Sequence, residues 1–146
     1  MDELVDKLKI ALANTFVFHI KAWGYHWNVE GKDFFEYHSL FENIYTEVQG
    51  AIDPLSEQIR QLQQYSPFTM ERLKQLSQIQ EDNKIPTAQG MAQELLDANE
   101  ILVASVTEAY TLAEQAHEHG LSNLLAERLA AHRKHAWFLR SSLKPR

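Results

Sequence analysis

Apolar residues recur at helical spacing through almost the whole of this 146-residue sequence, and few residues interrupt the pattern. Four stretches show recurrence every three or four residues: Leu4 to His26, Phe41 to Leu62, Met91 to Ala116 and Leu121 to Leu143. Such spacing predicts amphipathic helices. No stretch alternates in the manner of a strand, so the sequence predicts an all-α protein.

Turn and cap signals separate these stretches. Asp33 is placed to cap the second helix, and Gly120 is predicted to end the third. Between them, "YSPFT" breaks the chain, Thr69 can begin a short helix through about Ile79, and Thr87 can cap the third long helix. Two hairpins joined by this connection predict a single domain over residues 1–146, a four-helix bundle whose long crossover carries a short helix.

Composition excludes several classes of protein. The sequence has no cysteine, which excludes disulfides and thiolate chemistry, and its 45% apolar content argues against disorder. No apolar run approaches the ~18 residues of a membrane span, and the amino terminus lacks a signal-like apolar region. We therefore expect a cytoplasmic protein without a membrane segment.

Charge is distributed unevenly along the chain. The net charge is −6, yet no acid follows Glu127. In a helix, Arg133, Arg140 and Lys144 would share one face, and the tail also holds Arg128, Lys134 and Arg146. Cations stabilise the carboxyl end of a terminal helix, which is the favoured interpretation; a nucleic-acid contact is the alternative.

The segment from Tyr25 to Arg60 is rich in metal-ligating side chains: His26, His38, Glu42, Asp53 and Glu57. At about 100° per residue, the four on the second helix lie within roughly one quadrant, about 120° from its apolar stripe. These side chains therefore line a face beside the core, which water or another subunit must cover.

Distance divides these residues into two groups. Glu42 and Asp53 are eleven residues apart, or about 16 Å along a helix, whereas metal bonds are only about 2 Å long. If the second helix packs antiparallel against its copy, the His38–Glu42 end of one chain meets the Asp53–Glu57 end of the other. Two imidazoles and three carboxylates, with His26 included, suit ferrous iron, with zinc or manganese as competitors.

Taken singly, each residue has an alternative interpretation. His26 could cap carbonyls at a helix end, and Glu42 could be an ordinary solvated residue. Asp53 followed by Pro54 could mark a helix start, and the proline could kink the helix. The combination of residue types at these spacings favours the metal hypothesis.

The segment "HWNVEGKDFFEYHSLFENIY", with Asp53 and Glu57 downstream, resembles the signature of the Dps family within the ferritin-like superfamily. "SPFTMERLKQLSQIQ" is similar to the family's crossover helix, and "HRKHAWFLRSSL" to its closing segment. The resemblance implies a hollow homo-dodecamer that oxidises Fe(II) to Fe(III), preferentially with hydrogen peroxide, and stores the ferric mineral inside.

The same resemblance implies roles for individual residues. His26 and His38 would come from one chain and Asp53 and Glu57 from its neighbour, at ferroxidase centres on two-fold interfaces. Glu42 stands where the family more usually has aspartate. Trp27 matches a tryptophan beside the centre that would supply electrons and limit radical escape; an aromatic packing role is the alternative.

The sequence also departs from the family pattern. It has Ser56-Glu57-Gln58 where the family usually has Ala-Glu-Arg, and Pro54 is unexpected within the second helix. The lysine-rich amino-terminal extension by which some members bind DNA is not found, so we expect weak or absent DNA binding.

Three other functions remain open from the sequence. A single-chain di-iron site would use the pair Glu114 and His117, but such sites need this pair on two helices. A DNA-compacting structural protein would use the basic tail, and a metal-free interaction module would leave the carboxylate pairs unexplained. His117, Glu118 and His119 could bind a secondary metal, although a polar helix end is favoured, and His132 is expected to be a satisfied core histidine.

Overall fold

The computed structural model describes residues 1–145, and Arg146 of the basic tail lies outside the described residues. Those residues form five helices and no strand: α1 Asp2–Asn28, α2 Phe34–Gln61, α3 Met70–Leu76, α4 Ala88–Gln115 and α5 His119–Leu143. The hairpins α1–α2 and α4–α5 are joined by residues 62–87, which carry α3. The predicted all-α bundle with one helical crossover is confirmed. None of the helices formed by residues 1–145 is long and apolar enough to cross a membrane.

The core lies where the apolar stripes of the four long helices meet. Helix α1 packs against both α2 and α4, and α4 packs against α5. The largest fully buried side chains are Leu8, Leu12, Phe18, Phe41, Ile44, Leu55, Ile59, Met91, Leu95, Leu102, Leu125 and Leu139. Burial of these side chains stabilises the bundle by roughly 1.5–3 kcal/mol each, before the cost of ordering the chain.

Asn14 fastens the crossover to the bundle. This fully buried side chain donates through Nδ2 to Gln78 Oε1 at 3.0 Å and to Ser105 Oγ at 3.1 Å. Its Oδ1 accepts from Ser77 Oγ at 3.1 Å and from the Gln78 amide at 2.8 Å. All four hydrogen bonds that an amide side chain can form are therefore made inside the protein.

The predicted caps of the two middle helices are confirmed. Thr69 Oγ1 accepts from the Arg72 amide at 3.1 Å, and Thr87 Oγ1 accepts from the Gly90 amide at 3.0 Å. Asp33 occupies the N-cap position of α2 with φ 63°, and its carbonyl accepts from the Tyr37 amide.

Two predicted helix ends were wrong. Helix α3 ends at Leu76 rather than near Ile79, because Ser77 is extended and donates its hydroxyl to Asn14. Gly120 does not end α4: the left-handed position is taken by His117, with φ 58°, and the Glu118 amide bonds to the Ala113 carbonyl at 3.0 Å. Gly120 lies inside α5 instead.

Asp53 is not the start of a helix. Helix α2 runs without interruption from Phe34 to Gln61 and contains Pro54, so the helix-cap interpretation of Asp53 is wrong. The apolar stripe continues across the proline through Val48, Leu55 and Ile59, all buried, and this packing keeps the helix intact. A kink at Pro54 stays a prediction.

A partly buried polar network ties α2 and α4 to α5. Arg128 donates to both carboxylate oxygens of Glu47, and His135 Nε2 donates to Glu47 Oε1 at 2.7 Å. His132, fully buried, donates through Nδ1 to Asn99 Oδ1 at 2.9 Å and accepts through Nε2 from Arg128 at 3.0 Å. His132 is thus the satisfied core histidine that the sequence predicted.

The network also explains two displaced pKa values. Burial and the nearby Arg128 guanidinium lower the pKa of His132 well below its usual range, which keeps the ring neutral. Burial acts to raise the pKa of Glu47, but hydrogen bonds from His135 and Arg128 outweigh it and hold that pKa well below its usual range. Glu47 therefore stays ionised in the folded protein.

We predict that Glu47→Gln destabilises the fold by about 2 kcal/mol, because Arg128 would be left buried without its carboxylate. The side chain of Glu47 is 39% exposed, so the loss should fall below that of a fully buried pair. Urea unfolding at pH 7 measures the loss. Glu108→Gln, which breaks the exposed Lys7–Glu108 pair, is the control and should change the free energy of unfolding far less.

The loss of stability in Glu47→Gln should also depend on pH in a defined direction. Because the pKa of folded Glu47 is depressed, its stabilisation exists above the unfolded pKa of about 4.3 and is lost as pH falls. The difference in the free energy of unfolding between wild type and Glu47→Gln should shrink below about pH 4. A difference that grows on acidification would contradict this account.

Candidate metal centre

A short turn brings two histidines together. His26 lies in the last turns of α1, and His38 lies near the start of α2. Residues 29–33 connect them and include Gly31 at φ 98°, a conformation that side chains other than glycine rarely adopt. The turn reverses the chain, so the two imidazoles lie face to face with ring centroids 3.8 Å apart.

Each histidine is held by the backbone of the other. His26 Nδ1 lies 2.9 Å from the His38 carbonyl oxygen, and His38 Nδ1 lies 2.7 Å from the His26 carbonyl oxygen. A carbonyl oxygen only accepts, so each Nδ1 must carry the proton and donate. This fixes both tautomers and leaves each Nε2 with a free lone pair, which is the arrangement that a histidine ligand needs.

Glu42 completes a cluster with these two nitrogens. One ligand atom from each of His26, His38 and Glu42 lies within 4.8 Å of the others, and His26 Nε2 is 3.7 Å from Glu42 Oε1. Ligands about 2 Å from one ion are separated by up to about 4 Å, so a small closure would place all three on one metal. His26 is buried, whereas the Glu42 side chain is 55% exposed, so the cluster opens towards solvent on the Glu42 side.

Aromatic rings cover another side of this cluster. Tyr45 lies 5.2 Å from the His26 ring, and Trp23 stacks on Tyr45 at 5.4 Å with an interplanar angle of 15°. Trp27 follows at 4.8 Å from Trp23 and is 59% exposed. Trp27 therefore joins the rings beside the candidate centre, and its redox role stays a prediction.

Asp53 and Glu57 form a separate carboxylate pair on the same helix. Both side chains are exposed, and a hydrogen bond with Asp53 together with charge repulsion raises the pKa of Glu57. Two carboxylates this close repel each other unless a proton or a cation lies between them. Because α2 is continuous over both groups, the pair remains about 16 Å from Glu42 along the helix axis.

The structure therefore assembles three of the five predicted ligands and leaves two apart. His26, His38 and Glu42 form the one cluster of three or more potential ligands found among residues 1–145. His117 lies outside α4, with its ring 6.1 Å from that of His119, so Glu114 and His117 do not share a helix face as a single-chain di-iron site requires.

Sequence reasoning missed the interactions that orient the histidines. Nothing in the residue pattern indicates that each imidazole bonds to the other's carbonyl, since this depends on the geometry of the turn. Tyr45 lies within the predicted apolar stretch from Phe41 to Leu62, seven residues, or about two turns, after His38. That spacing is the one signal that could have placed Tyr45 beside the centre.

The network of Glu47, Arg128 and His135 was also missed. Glu47 is one of several polar residues on α2, and its partners on α5 are more than 80 positions away. Local spacing carries no information about such a contact.

Comparison with known proteins shows the family to which the chain is similar. The model of the Ferritin-like domain matches residues 5–145. The chain is 30% identical to DNA protection during starvation protein 2 of Bacillus anthracis, covering 97% of each chain, and 30% identical to general stress protein 20U of Bacillus subtilis, covering 97% and 98%.

A solved structure gives the same result in three dimensions. The Dps protein of Vibrio cholerae, described as a member of the ferritin-like diiron-carboxylate proteins, superposes with a TM-score of 0.93 at 34% identity. The match covers 98% of this chain and 90% of that one. By sequence and by fold, this chain belongs to the Dps family of ferritin-like proteins.

Proposed function

We propose that this protein oxidises Fe(II) at centres shared between two copies of the chain and stores the ferric product as a mineral inside an oligomeric cage, a dodecamer. One observation carries the proposal. A preorganised cluster of His26, His38 and Glu42 opens to solvent on one side, and a second carboxylate pair lies farther along the same helix face.

The donor set fits ferrous iron as the substrate. Imidazole nitrogen combined with carboxylate oxygen suits Fe(II), and negative ligands favour the ferric state after oxidation. Zn(II) and Mn(II) share these preferences and would compete for the site. The carbonyl bonds to each Nδ1 hold the rings in place before the metal arrives, so little ordering cost accompanies binding.

A second copy would supply the missing ligands. With α2 antiparallel to its copy about a two-fold axis, Asp53 and Glu57 of each chain lie level with His38 and Glu42 of the other. Each dimer then contains two equivalent centres. The dimer would be the repeating contact of the dodecamer that the family resemblance implies.

Hydrogen peroxide is the proposed oxidant. Two ferrous ions each lose one electron, the O–O bond of one peroxide accepts both electrons and breaks, and two protons complete two water molecules. No hydroxyl radical is released when both electrons arrive together. The aromatic group of Tyr45, Trp23 and Trp27 lies beside the histidines, where it could donate an electron if only one ferrous ion were present.

The oxidant is tested by anaerobic titration with Fe(II) followed by peroxide or by dioxygen in separate experiments. We expect faster oxidation with peroxide, at a stoichiometry near two iron ions per peroxide. Zn(II) added beforehand should slow the reaction by occupying the same ligands. Oxidation by dioxygen alone at an equal rate would contradict the choice of oxidant.

The shared site predicts complementation between two inactive variants. His38→Ala removes an imidazole and Asp53→Ala removes a carboxylate of the opposite half-site, so each homogeneous variant should oxidise iron at least about tenfold more slowly. In a mixed dimer, one centre loses both ligands and the other keeps the full set. Co-assembly should therefore restore activity in proportion to the mixed interfaces, counted by native mass spectrometry.

Matched controls keep this test specific. His119→Ala and Asp97→Ala make the same substitutions at exposed positions outside the cluster and should leave the oxidation rate unchanged. If confirmed mixed assemblies recover no activity, the shared site is wrong. Full activity in either homogeneous variant would likewise remove that residue from the ligand set.

DNA compaction is the alternative function, favoured by the exposed cations Arg133 and Arg140 on α5 and Lys144 directly after it. The net charge of −6 opposes it. We predict weak or absent DNA binding at pH 7 and physiological salt, measured by mobility shift over a salt series, since phosphate contacts are salt-sensitive. Tight binding that survives physiological salt and is lost on deleting the residues after Ser142 would support the alternative.

A further inference from the structure

The face of α2 that carries the candidate ligands continues beyond them at both ends. Phe35 lies seven residues before Glu42, and Arg60 lies seven residues after Asp53. Seven residues are close to two helical turns, so Phe35 shares the face of Glu42 and Arg60 shares the face of Asp53. The ligand face is thus bounded by an aromatic ring at one end and a guanidinium at the other.

The equal spacings have a consequence for an antiparallel pair. In the register that places the partner's Asp53 level with Glu42, the partner's Arg60 lies level with Phe35. The same register places the partner's Glu57 level with His38, because Glu57 follows Asp53 by four residues and His38 precedes Glu42 by four. It also places the partner's Gln49 level with Thr46. A single register therefore aligns the ligand face of α2 with the same face of the partner's α2.

Phe35 is prepared for such a contact. It is 72% exposed, compared with 41% for its neighbour Phe34. Its neighbour Phe34 packs against the His38 ring at 5.0 Å, whereas Phe35 makes no ring contact with any other residue of the range 1–145. The Phe35 ring lies on the face of α2 that a second copy would cover in the proposed dimer, so the second copy can bury this ring.

Arg60 is held in a matching position. Its Nη1 donates to the Gln64 carbonyl at 3.0 Å, and its guanidinium lies 4.8 Å from the centroid of the Tyr65 ring. Within residues 1–145 it has no carboxylate partner. Tyr65 is itself 82% exposed, and a guanidinium can contact a second aromatic ring on the side away from the first.

We propose that Phe35 of each chain stacks on the Arg60–Tyr65 pair of a second copy, giving two contacts that close the ends of the dimer interface. The inference rests on the proposed function for the register of the two helices. It adds an interaction surface built from Phe35, Arg60 and Tyr65 that no metal requires. Its occupant is a second copy of this chain, because the spacing from Phe35 to Glu42 equals the spacing from Asp53 to Arg60 on the same helix.

The test introduces a cation at Phe35 and then an anion at Arg60, in protein free of metal. Phe35→Arg places a cation opposite the partner's Arg60 and should weaken dimer association by about tenfold or more, since both contacts change from attraction to repulsion. Adding Arg60→Glu in the same chain should recover most of the lost affinity through a new ion pair. Sedimentation velocity over a dilution series measures association, and circular dichroism verifies that the helices remain.

The rescue can only act between chains. Phe35 and Arg60 are 25 residues apart on one helix, or about 37 Å, so the two substituted side chains cannot meet within a chain. Ile85→Arg, at an apolar residue 59% exposed in the connection between α3 and α4, is the matched control and should leave association unchanged. A double variant that dissociates as readily as Phe35→Arg alone would overturn the proposal, as would a Phe35→Arg variant that associates like wild type.

Failure of this proposal is distinguishable from failure of the proposed function. Complementation between His38→Ala and Asp53→Ala without rescue of Phe35→Arg would leave the shared centre in place and remove the end contact. Rescue without complementation would show that the dimer forms in this register while each iron centre lies elsewhere.

Discussion

The rise of a single α-helix sets the organisation of this protein. Helix α2 carries four of the five candidate ligands, and its continuity past Pro54 fixes about 16 Å between Glu42 and Asp53. Folding within one chain cannot shorten that distance, because the apolar stripe of α2 is buried along the whole span and keeps the helix straight enough to pack. In the proposed centre, Asp53 and Glu57 would therefore have to come from a second α2 helix running in the opposite direction, so the oxidation chemistry would depend on association of two chains.

Within that constraint, the two halves of the site are prepared differently. The histidine half is rigid: a short turn and two reciprocal hydrogen bonds fix the rings, and Tyr45 and Trp23 pack beside them. The carboxylate half is exposed, and Asp53 raises the pKa of Glu57 through a shared hydrogen bond. In the proposed centre, the fixed imidazole nitrogens would set the position of the ion, and the carboxylates would supply the negative charge that favours ferric iron.

Regular periodicity made the helices predictable, and local hydrogen bonding made their caps predictable. Thr69 and Thr87 were identified because a hydroxyl three residues before an amide is a local feature. The end of α4 was misplaced because glycine was expected at the left-handed position, whereas His117 adopts it where two backbone bonds close the helix. The reciprocal histidine bonds and the Glu47–Arg128 pair depend on how distant segments meet, and spacing along the chain does not encode that.

Negative charge at the centre of the proposed interface opposes association, so attractive contacts at its ends would be needed to offset the repulsion. Bringing Glu42 of one chain to Asp53 and Glu57 of another places three carboxylates together, and without a cation their repulsion opposes association. Iron would reverse the sign of that interaction, so metal binding and assembly should reinforce each other. Association of metal-free chains would need attraction from elsewhere on the same face. The proposed stacking of Phe35 on a guanidinium would supply it at the ends, because a ring contacting a cation contributes attraction whether or not the centre is filled.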